Sequence, residues 1–184
     1  MRGAATVNDR AVYVRPVEAR DRAEFLALVQ QSRALHDPWI APPLTPRAFD
    51  QYHARTHRED HEGLLVCRAG SDAIVGVINV NNIVRGTFLS ASLGYYVGLP
   101  WAGRGFMTEG LELVKELMFR GLGLHRLEAN IQPTNLPSIN LVKRCGFRLE
   151  GISPGYLFID GAWRDHERWA IQDLRDTLLP RSSS

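Results

Sequence analysis

The stretch Leu99–Gly110, with the sequence LPWAGRGFMTEG, decides how this chain is organised. It lies between a strand-like run over 88–97 and an apolar-periodic run that begins near Met107. A strand, a glycine-rich turn and a helix start build a phosphate site, because glycines let several N–H groups point into one space. The first helical turn adds unpaired N–H groups and the positive end of its dipole. The stretch predicts a pyrophosphate held by main chain, with Arg104 adding charge; the alternative is an ordinary strand-to-helix loop.

Length and composition limit the function classes. The chain of 184 residues is long enough for one domain with a real core. A net charge of +2 gives no reason to expect nucleic acid or an anionic membrane as partner. No apolar run approaches the ~20 residues of a membrane span, and the first ten residues contain no apolar signal segment. We therefore expect a cytoplasmic protein.

The cysteines and histidines predict neither a disulfide nor a metal site. Cys67 lies in a strand-like run and Cys145 precedes a Gly-Phe pair, which makes no disulfide framework or metal cluster. His53, His57 and His61 fall on one face of a helix predicted over 45–60. That spacing can ligate zinc, but no acidic or cysteine cluster accompanies it. We expect a solvated face and no metal.

Hydrophobic periodicity and turn residues predict the element order β-α-α-β-β-β-α-β-α-β-β. The fold class is α/β, with a mixed sheet, hairpins and helices on the faces. Asp21 and Glu24 have the spacing of a capping box at the first helix. The strands are predicted over 12–15, 64–68, 73–80, 88–97, 125–131, 147–159 and 162–171, and the helices over 21–35, 45–60, 104–121 and 139–144. We expect a flexible N-terminal arm over 1–10, a single domain over 11–180 and a disordered tail over 181–184.

Five pieces of sequence carry a family resemblance: VYVRPVEARDRAEF, LGYYV, AGRGFMTEG, HRLEANIQPTNLPSINLVKRCGFRLEG and YLFIDGAWRDH. Together, from about Val12 to Ile171, they resemble the GNAT superfamily of acetyl-CoA-dependent N-acetyltransferases. Within it they are most similar to the RimJ/RimL-type alanine N-acetyltransferases that modify ribosomal-protein N-termini. The resemblance implies the acyl-CoA N-acyltransferase fold, acetyl-CoA as co-substrate and a primary amine as acceptor.

The resemblance also implies the site residues. The strand end would pair with the pantetheine like an extra strand, an N–H near Val97 would polarise the thioester carbonyl, and Ser138 would lie near the sulfur. The expected cofactor-binding residues are Tyr95, Tyr96, Val97, Trp101, Ala102, Gly103, Arg104, Gly105, Phe106, Met107, Asn135 and Ser138. Ser138 and Asn135 are the expected catalytic residues. Trp39, in a proline-rich loop, and Glu128 are expected to bind the acceptor.

Two departures from the family pattern bear on catalysis. Pro100 stands where the superfamily often has Gln or Arg, so one N–H donor to the pyrophosphate is missing. Val142 stands where many members have a tyrosine that protonates the departing thiolate. We therefore assign the acid role to Ser138; the alternative is that Ser138 only caps the short helix, as serine does well.

The sequence predicts direct transfer of the acetyl group to the amine, but it does not identify the general base. Neither cysteine has the surroundings of a nucleophile, so we expect amine attack in a ternary complex rather than an acyl-enzyme. Glu109 suits the helix dipole, and Glu128 suits an ion pair as well as a base. A protein α-amine has a pKa of about 7.7–8.0 against about 10.4 for lysine, so part of it is neutral without a strong base. This favours a protein N-terminus as acceptor.

Three functions remain compatible with the sequence. An N-terminal protein acetyltransferase comes first, followed by an acetyltransferase of a small amine such as an antibiotic, a polyamine or an amino acid. The third is a CoA-binding protein without activity, which Pro100 and Val142 would explain. The loop around Trp39 would separate the first two, because a protein N-terminus needs an open groove. The oligomeric state, a homodimer included, stays open.

Overall fold

A seven-stranded mixed sheet organises residues 11–175, the part of the chain that the computed structural model describes. The strands are β1 (Val12–Pro16), β2 (His61–Arg68), β3 (Ile74–Val84), β4 (Ser90–Val97), β5 (Arg126–Ile131), β6 (Arg148–Ile159) and β7 (Ala162–Gln172). The helices are α1 (Arg22–Gln31), α2 (Arg33–His36), α3 (Pro46–Arg55), α4 (Phe106–Glu116) and α5 (Leu136–Arg144). The strand order is β1-β2-β3-β4-β5-β7-β6, with β4 and β5 parallel and the other neighbours antiparallel.

The predicted mixed sheet, its hairpins and the overall element order are confirmed. The predicted arm over 1–10 and tail over 181–184 lie outside the described residues. No helix among residues 11–175 is long and apolar enough to cross a membrane. The predicted helix over 21–35 is divided at Ser32, whose Oγ donates to the carbonyl of Leu28 at 2.6 Å and accepts from the N–H of Leu99 at 2.8 Å.

The predicted helix over 45–60 is too long. It ends at Arg55, and His61 already pairs with Asn81 in the ladder between β2 and β3. His53, His57 and His61 therefore do not share one helix face. Within residues 11–175, no group of three or more His, Cys, Asp or Glu side chains is placed to hold a metal ion.

The start of the first helix also differs from the prediction. The Asp21 carboxylate accepts hydrogen bonds from the Arg15 guanidinium at 2.7 and 2.8 Å and from the N–H of Glu18 at 2.8 Å. Glu24, the expected partner of Asp21, instead accepts from the N–H of Ile74 at 2.7 Å. The predicted Asp21–Glu24 capping box is therefore wrong. Asp21 ties β1 to the turn before α1.

Two hydrophobic cores lie on opposite faces of the sheet. In β2, Val66 belongs to the core formed with α4 and α5, whereas Leu65 belongs to the core formed with α1 and α3. Successive strand residues point to opposite faces, so one strand serves both cores. Gly110 lets α4 lie close to β2, because a β-carbon at this position would come within 2.8 Å of the Val66 side chain.

β4 and β5 separate partway along their length. They pair over 90–93 and 126–129. Beyond these residues β4 continues to Val97 along β3, while β5 continues to Ile131 along β7. The sheet therefore opens into a gap between the two strand ends, and the predicted site residues lie around it.

Candidate active site

The loop between β4 and α4 has the open backbone that the glycines predict. Gly103 and Gly105 have φ angles of +71° and +83°, in the left-handed region that side-chain-bearing residues rarely adopt. A β-carbon on either glycine would meet no atom within 4 Å, so the space beside both is free. The left-handed backbone of Gly105 cannot be part of a right-handed helix, so α4 starts at Phe106 and not at Arg104, and it has no side-chain cap. The loop can therefore present N–H groups and a helix N-terminus to an anion.

The loop is braced by aromatic and cationic side chains. The Arg104 guanidinium lies 5.4 Å from the Trp101 ring centre and 5.2 Å from that of Phe106. The guanidinium of Arg68 lies 5.8 and 5.9 Å from the same two rings. Pro100 occupies the 3-10 turn Leu99–Trp101 at the start of the loop. Two positive charges thus stand beside the glycine turn, and both are held by cation–π contacts.

The end of β4 turns part of its backbone toward the gap. The N–H of Gly98 bonds to Val75 of β3 at 2.8 Å. Because bonding groups alternate sides along an antiparallel strand, the backbone groups of Tyr95 and Val97 point away from β3. The Val97 carbonyl accepts from His36 Nε2 at 2.8 Å. His36 is 4% exposed, and burial lowers its pKa although this hydrogen bond opposes the shift, so the neutral ring donates from Nε2.

Ser138 and Tyr95 form a hydroxyl pair at the gap. Their oxygen atoms lie 2.7 Å apart. Asn135 Oδ1 accepts from the N–H of Ser138 at 3.3 Å, so Asn135 is the N-cap of α5. The alternative that Ser138 caps this helix is therefore wrong, and the helix starts at Leu136 rather than at Ile139. Burial raises the pKa of Tyr95 despite the hydrogen bond with Ser138, so the phenol keeps its proton at neutral pH.

Val142 does not face the gap. Its side chain is fully buried in the core formed with α4 and α5. The position where many GNAT members have a tyrosine therefore contributes packing in this protein. Among the described hydroxyl-bearing residues that line the space on either side of the gap, Ser138 and Tyr95 are the two that line both sides.

Two clefts meet at the gap. The first, which we call the glycine-loop cleft, has a volume of about 470 Å³ and is bounded by the strand end, Gly103, Gly105 and α5. The second, which we call the polar cleft, has a volume of about 700 Å³ and is bounded by β3, β4, β5, β6 and β7. Both clefts are lined by Trp39, Ile40, Tyr95, Asn135 and Ser138. The hydroxyl pair therefore stands where one cleft opens into the other.

Glu128 lies in the polar cleft as part of an ion-pair network. It accepts from Arg126 Nε at 2.8 Å and from Arg168 Nη2 at 2.7 Å, and Arg126 also pairs with Glu150. Burial alone would raise the pKa of Glu128, but the hydrogen bonds from the two arginines outweigh it and lower the pKa. Glu128 is thus ionised and neutralised by its partners, which makes it a poor base.

The structure brings most of the predicted site residues together. Those that line the glycine-loop cleft are Trp39, Tyr95, Tyr96, Val97, Trp101, Gly103, Gly105, Met107, Asn135 and Ser138. Ala102 and Arg104 lie on the loop and Phe106 is the first residue of α4, and none of the three is in the cleft lining. The phenol ring of Tyr96 packs in the core formed with α1 and α3.

Several residues that support the site could not be assigned from the sequence alone. Ser32 and His36 hold the loop and the strand end from α1 and α2, and nothing in their local sequence indicates it. Asn130, Gln132 and Arg168 line the polar cleft. The alternation of polar residues along β5 was a signal for Asn130 and Gln132, because alternate positions share one face.

The comparison with known proteins agrees with this geometry. The acetyltransferase (GNAT) domain family matches residues 11–148. The chain belongs to the GNAT acetyltransferases. A Bacillus subtilis relative named "Probable N-acetyltransferase YjcK" is 31% identical over 175 residues, covering 91% of this chain and 97% of that protein. The ribosomal protein uS5-alanine N-acetyltransferase of Escherichia coli is 46% identical over 98 residues, covering 53% of this chain and 50% of that protein.

Solved structures of GNAT enzymes share the fold. Mycobacterium smegmatis RimJ in complex with CoA-disulfide superposes with a TM-score of 0.81 at 29% identity, covering 92% of this chain and 84% of that one. The spermidine N-acetyltransferase of Vibrio cholerae, in complex with CoA and spermine, superposes with a TM-score of 0.75, covering 88% and 95%. At 20% identity the second likeness concerns the fold alone. The predicted GNAT fold and acetyltransferase activity are therefore confirmed.

Proposed function

We propose that this GNAT enzyme transfers acetyl from acetyl-CoA to the α-amine of a protein N-terminus, by direct attack in a ternary complex. The observation that carries the proposal is the meeting of two clefts at Tyr95, Asn135 and Ser138. A donor in the glycine-loop cleft and an amine in the polar cleft would meet there without a covalent enzyme intermediate. Acetyl-CoA would supply the activated thioester.

The glycine-loop cleft suits the donor. The free space beside Gly103 and Gly105 and the uncapped start of α4 fit a pyrophosphate bound by N–H groups. The outward backbone groups of Tyr95 would pair with a pantetheine amide, and the Val97 N–H would polarise the thioester carbonyl, while the Val97 carbonyl accepts from His36. RimJ of Mycobacterium smegmatis, which shares this fold, was solved in complex with CoA-disulfide.

The hydroxyl pair suits proton donation. Ser138 Oγ would give its proton to the departing thiolate and recover one from the Tyr95 hydroxyl, 2.7 Å away, and the Tyr95 oxygen would in turn take a proton from water in the polar cleft. The raised pKa of Tyr95 keeps that proton available at neutral pH. The proton of the attacking amine would leave through the open polar cleft to water, since Glu128 is held by two arginines.

The charges of the polar cleft favour a peptide over a polyamine. Among the described residues that line it, Glu128 is the one carboxylate, and Arg126 and Arg168 neutralise it. Arg55 lines the same cleft. A polyamine carries several positive charges and would need uncompensated carboxylates. A peptide needs none, because its backbone is neutral.

A panel of acceptors tests the proposal. The measurement is CoA release from acetyl-CoA with peptides that differ in their first residue, with the same peptides blocked at the N-terminus but carrying a lysine, and with spermidine. We expect the highest kcat/KM for free N-terminal peptides and a single acetyl on the α-amine by mass spectrometry. Faster turnover of spermidine than of every peptide would contradict the acceptor class. CoA binding without turnover of any amine would contradict the enzymatic proposal.

A further inference from the structure

Arg55 is a cation of the polar cleft that has no ion-pair partner within the described part of the chain. It is exposed at the C-terminal end of α3 and lines the cleft. The other arginine of the lining, Arg168, is held by Glu128 at 2.7 Å. Asp50 of α3 and Asp60 just after it pair with other cations. The guanidinium of Arg55 is therefore open to a ligand in the cleft.

Arg55 gives the cleft an excess of positive charge. Glu128 and Glu150 together balance Arg126 and Arg168. Among the described residues that line the cleft, Glu128 is the one carboxylate, so the lining leaves none for Arg55. An arginine is always charged and binds a carboxylate through two parallel hydrogen bonds. A carboxylate is therefore the ligand group that matches this position.

The contacts of α3 place Arg55 near the gap. The Tyr52 hydroxyl donates to Asn79 Oδ1 at 2.7 Å, and Asn79 stands opposite Gly94, the residue before Tyr95. Arg55 lies three residues after Tyr52, on the same side of the helix. Burial raises the pKa of Tyr52 and the charge of Arg55 opposes the rise, as expected of a guanidinium close to this hydroxyl. Arg55 thus stands over the part of the cleft that adjoins the gap.

An acceptor with its amine at the gap would pass Arg55. The polar cleft follows β3 over 79–84, about 17 Å of strand, which accommodates several residues of an extended chain. We infer that Arg55 binds an acidic side chain close behind the reacting amine, so that the enzyme selects protein N-termini that carry one. The inference rests on the proposed function and adds a substrate class to it.

Paired peptides test the contact. The acceptors are alanine-led pentapeptides, amidated at the C-terminus, with glutamate or glutamine at the second, third or fourth residue. In the wild type we expect kcat/KM at one of these positions to be about threefold to fivefold higher with glutamate, the worth of a partly exposed ion pair. The gain should lie in KM, because the contact is made before and during the reaction alike. It should shrink at high salt, which screens exposed charges.

Variants of two arginines on α3 show whether the preference depends on this one side chain. Arg55→Gln should equalise the paired peptides, and Arg55→Glu should favour arginine over glutamate at the same peptide position. Arg47→Glu is the matched control, since Arg47 is exposed on the same helix and lines neither cleft. It makes the same change of net charge and should keep the wild-type preference.

A second set of acceptors separates the two sources of a carboxylate. These are the glutamine peptides with a free C-terminus in place of the amide. An advantage in this set alone would assign the carboxylate to the chain end and overturn the inference. Equal kcat/KM for glutamate and glutamine in the wild type, or an unchanged preference in Arg55→Glu, would overturn it as well. Peptides that are not acetylated at all would instead overturn the proposed function, and the inference with it.

Discussion

The two clefts that meet at Tyr95 and Ser138 are built in different ways. The glycine-loop cleft takes most of its wall from one continuous segment, over 95–108, and from α5. The backbone conformation of this segment determines the shape of the glycine-loop cleft. The polar cleft takes its wall from side chains on β3, β4, β5, β6 and β7, which extend over about half of the described sequence. The first cleft should therefore be sensitive to added β-carbons, and the second to the identity of single side chains.

Adding a β-carbon to the loop is expected to have the largest effect. Gly103→Val and Gly105→Val should abolish CoA binding, because valine is strained at φ angles of +71° and +83° and its branches would fill the open space. Isothermal titration calorimetry with CoA measures it. Undiminished CoA affinity in both variants would contradict the proposal that the main chain of this cleft binds the pyrophosphate of CoA.

Two control variants separate this effect from strain and from charge. Gly70→Val imposes the same strain in the turn between β2 and β3, since Gly70 also has a φ of +83° and free space around it. It should keep CoA affinity. Arg104→Ala leaves the backbone unchanged, so it should weaken binding by no more than about 1.5–3 kcal/mol, the worth of a charge-assisted contact.

Removing the Ser138 hydroxyl is expected to have the next largest effect. Ser138→Ala should lower kcat by about 10²–10⁴, the usual worth of a general acid, with little change in CoA affinity. The helix should not lose its cap, because Asn135 provides it. Unchanged kcat in Ser138→Ala would leave water as the proton source.

Tyr95→Phe and Ser71→Ala complete this test. The first removes the proton relay but leaves Ser138, so it should lower kcat less than Ser138→Ala does. The second removes an exposed hydroxyl in the turn between β2 and β3 and should be neutral. A larger loss in Tyr95→Phe than in Ser138→Ala would assign the acid role to the phenol.

The difference between the two clefts also explains which parts of the fold and the site could be predicted from the sequence. The glycine loop, the strand before it and the Asn135–Ser138 turn are local in sequence, so their spacing predicts their geometry. The end of α3 could not be predicted from periodicity, because the pairing of His61 with Asn81 decides it. Asp21 likewise takes its role from Arg15 of β1 rather than from its own helix.

The support of the site depends on contacts that no local pattern contains. Ser32 forms a hydrogen bond with Leu99, which lies 67 residues later in the chain, and His36 with Val97, which lies 61 residues later. Arg168 meets Glu128 from the last strand, across 40 residues. Sequence spacing predicts neighbours within one element or turn, whereas these partners become neighbours only once the sheet has formed.

His36, which holds the end of β4 at the glycine-loop cleft, should make the stability of the protein depend on pH. Burial lowers the pKa of His36 below the value of about 6.5 expected in the unfolded chain. Between these two values the unfolded chain binds the proton more readily, so the free energy of unfolding should fall as pH drops below about 6.5. His36→Gln, which can still donate to Val97, should flatten this slope in urea denaturation. The exposed His57→Gln serves as the control; an unchanged slope in His36→Gln would contradict the assignment.

The smallest effect is expected from the two cysteines, and it tests whether acetyl passes directly from one cleft to the other. Cys67 and Cys145 are fully buried, and neither lines a cleft. Burial raises the pKa of both thiols, that of Cys145 to about 11, so neither forms a thiolate at neutral pH. The Cys67→Ala, Cys145→Ala double variant should lose some stability, because it leaves space in both cores, but keep most of its kcat. Mass spectrometry of the wild type during turnover should find no acetyl-cysteine. Such an adduct, or a large loss of kcat with CoA affinity and melting temperature preserved, would mean that the acetyl group passes through a covalent cysteine intermediate and is not transferred directly.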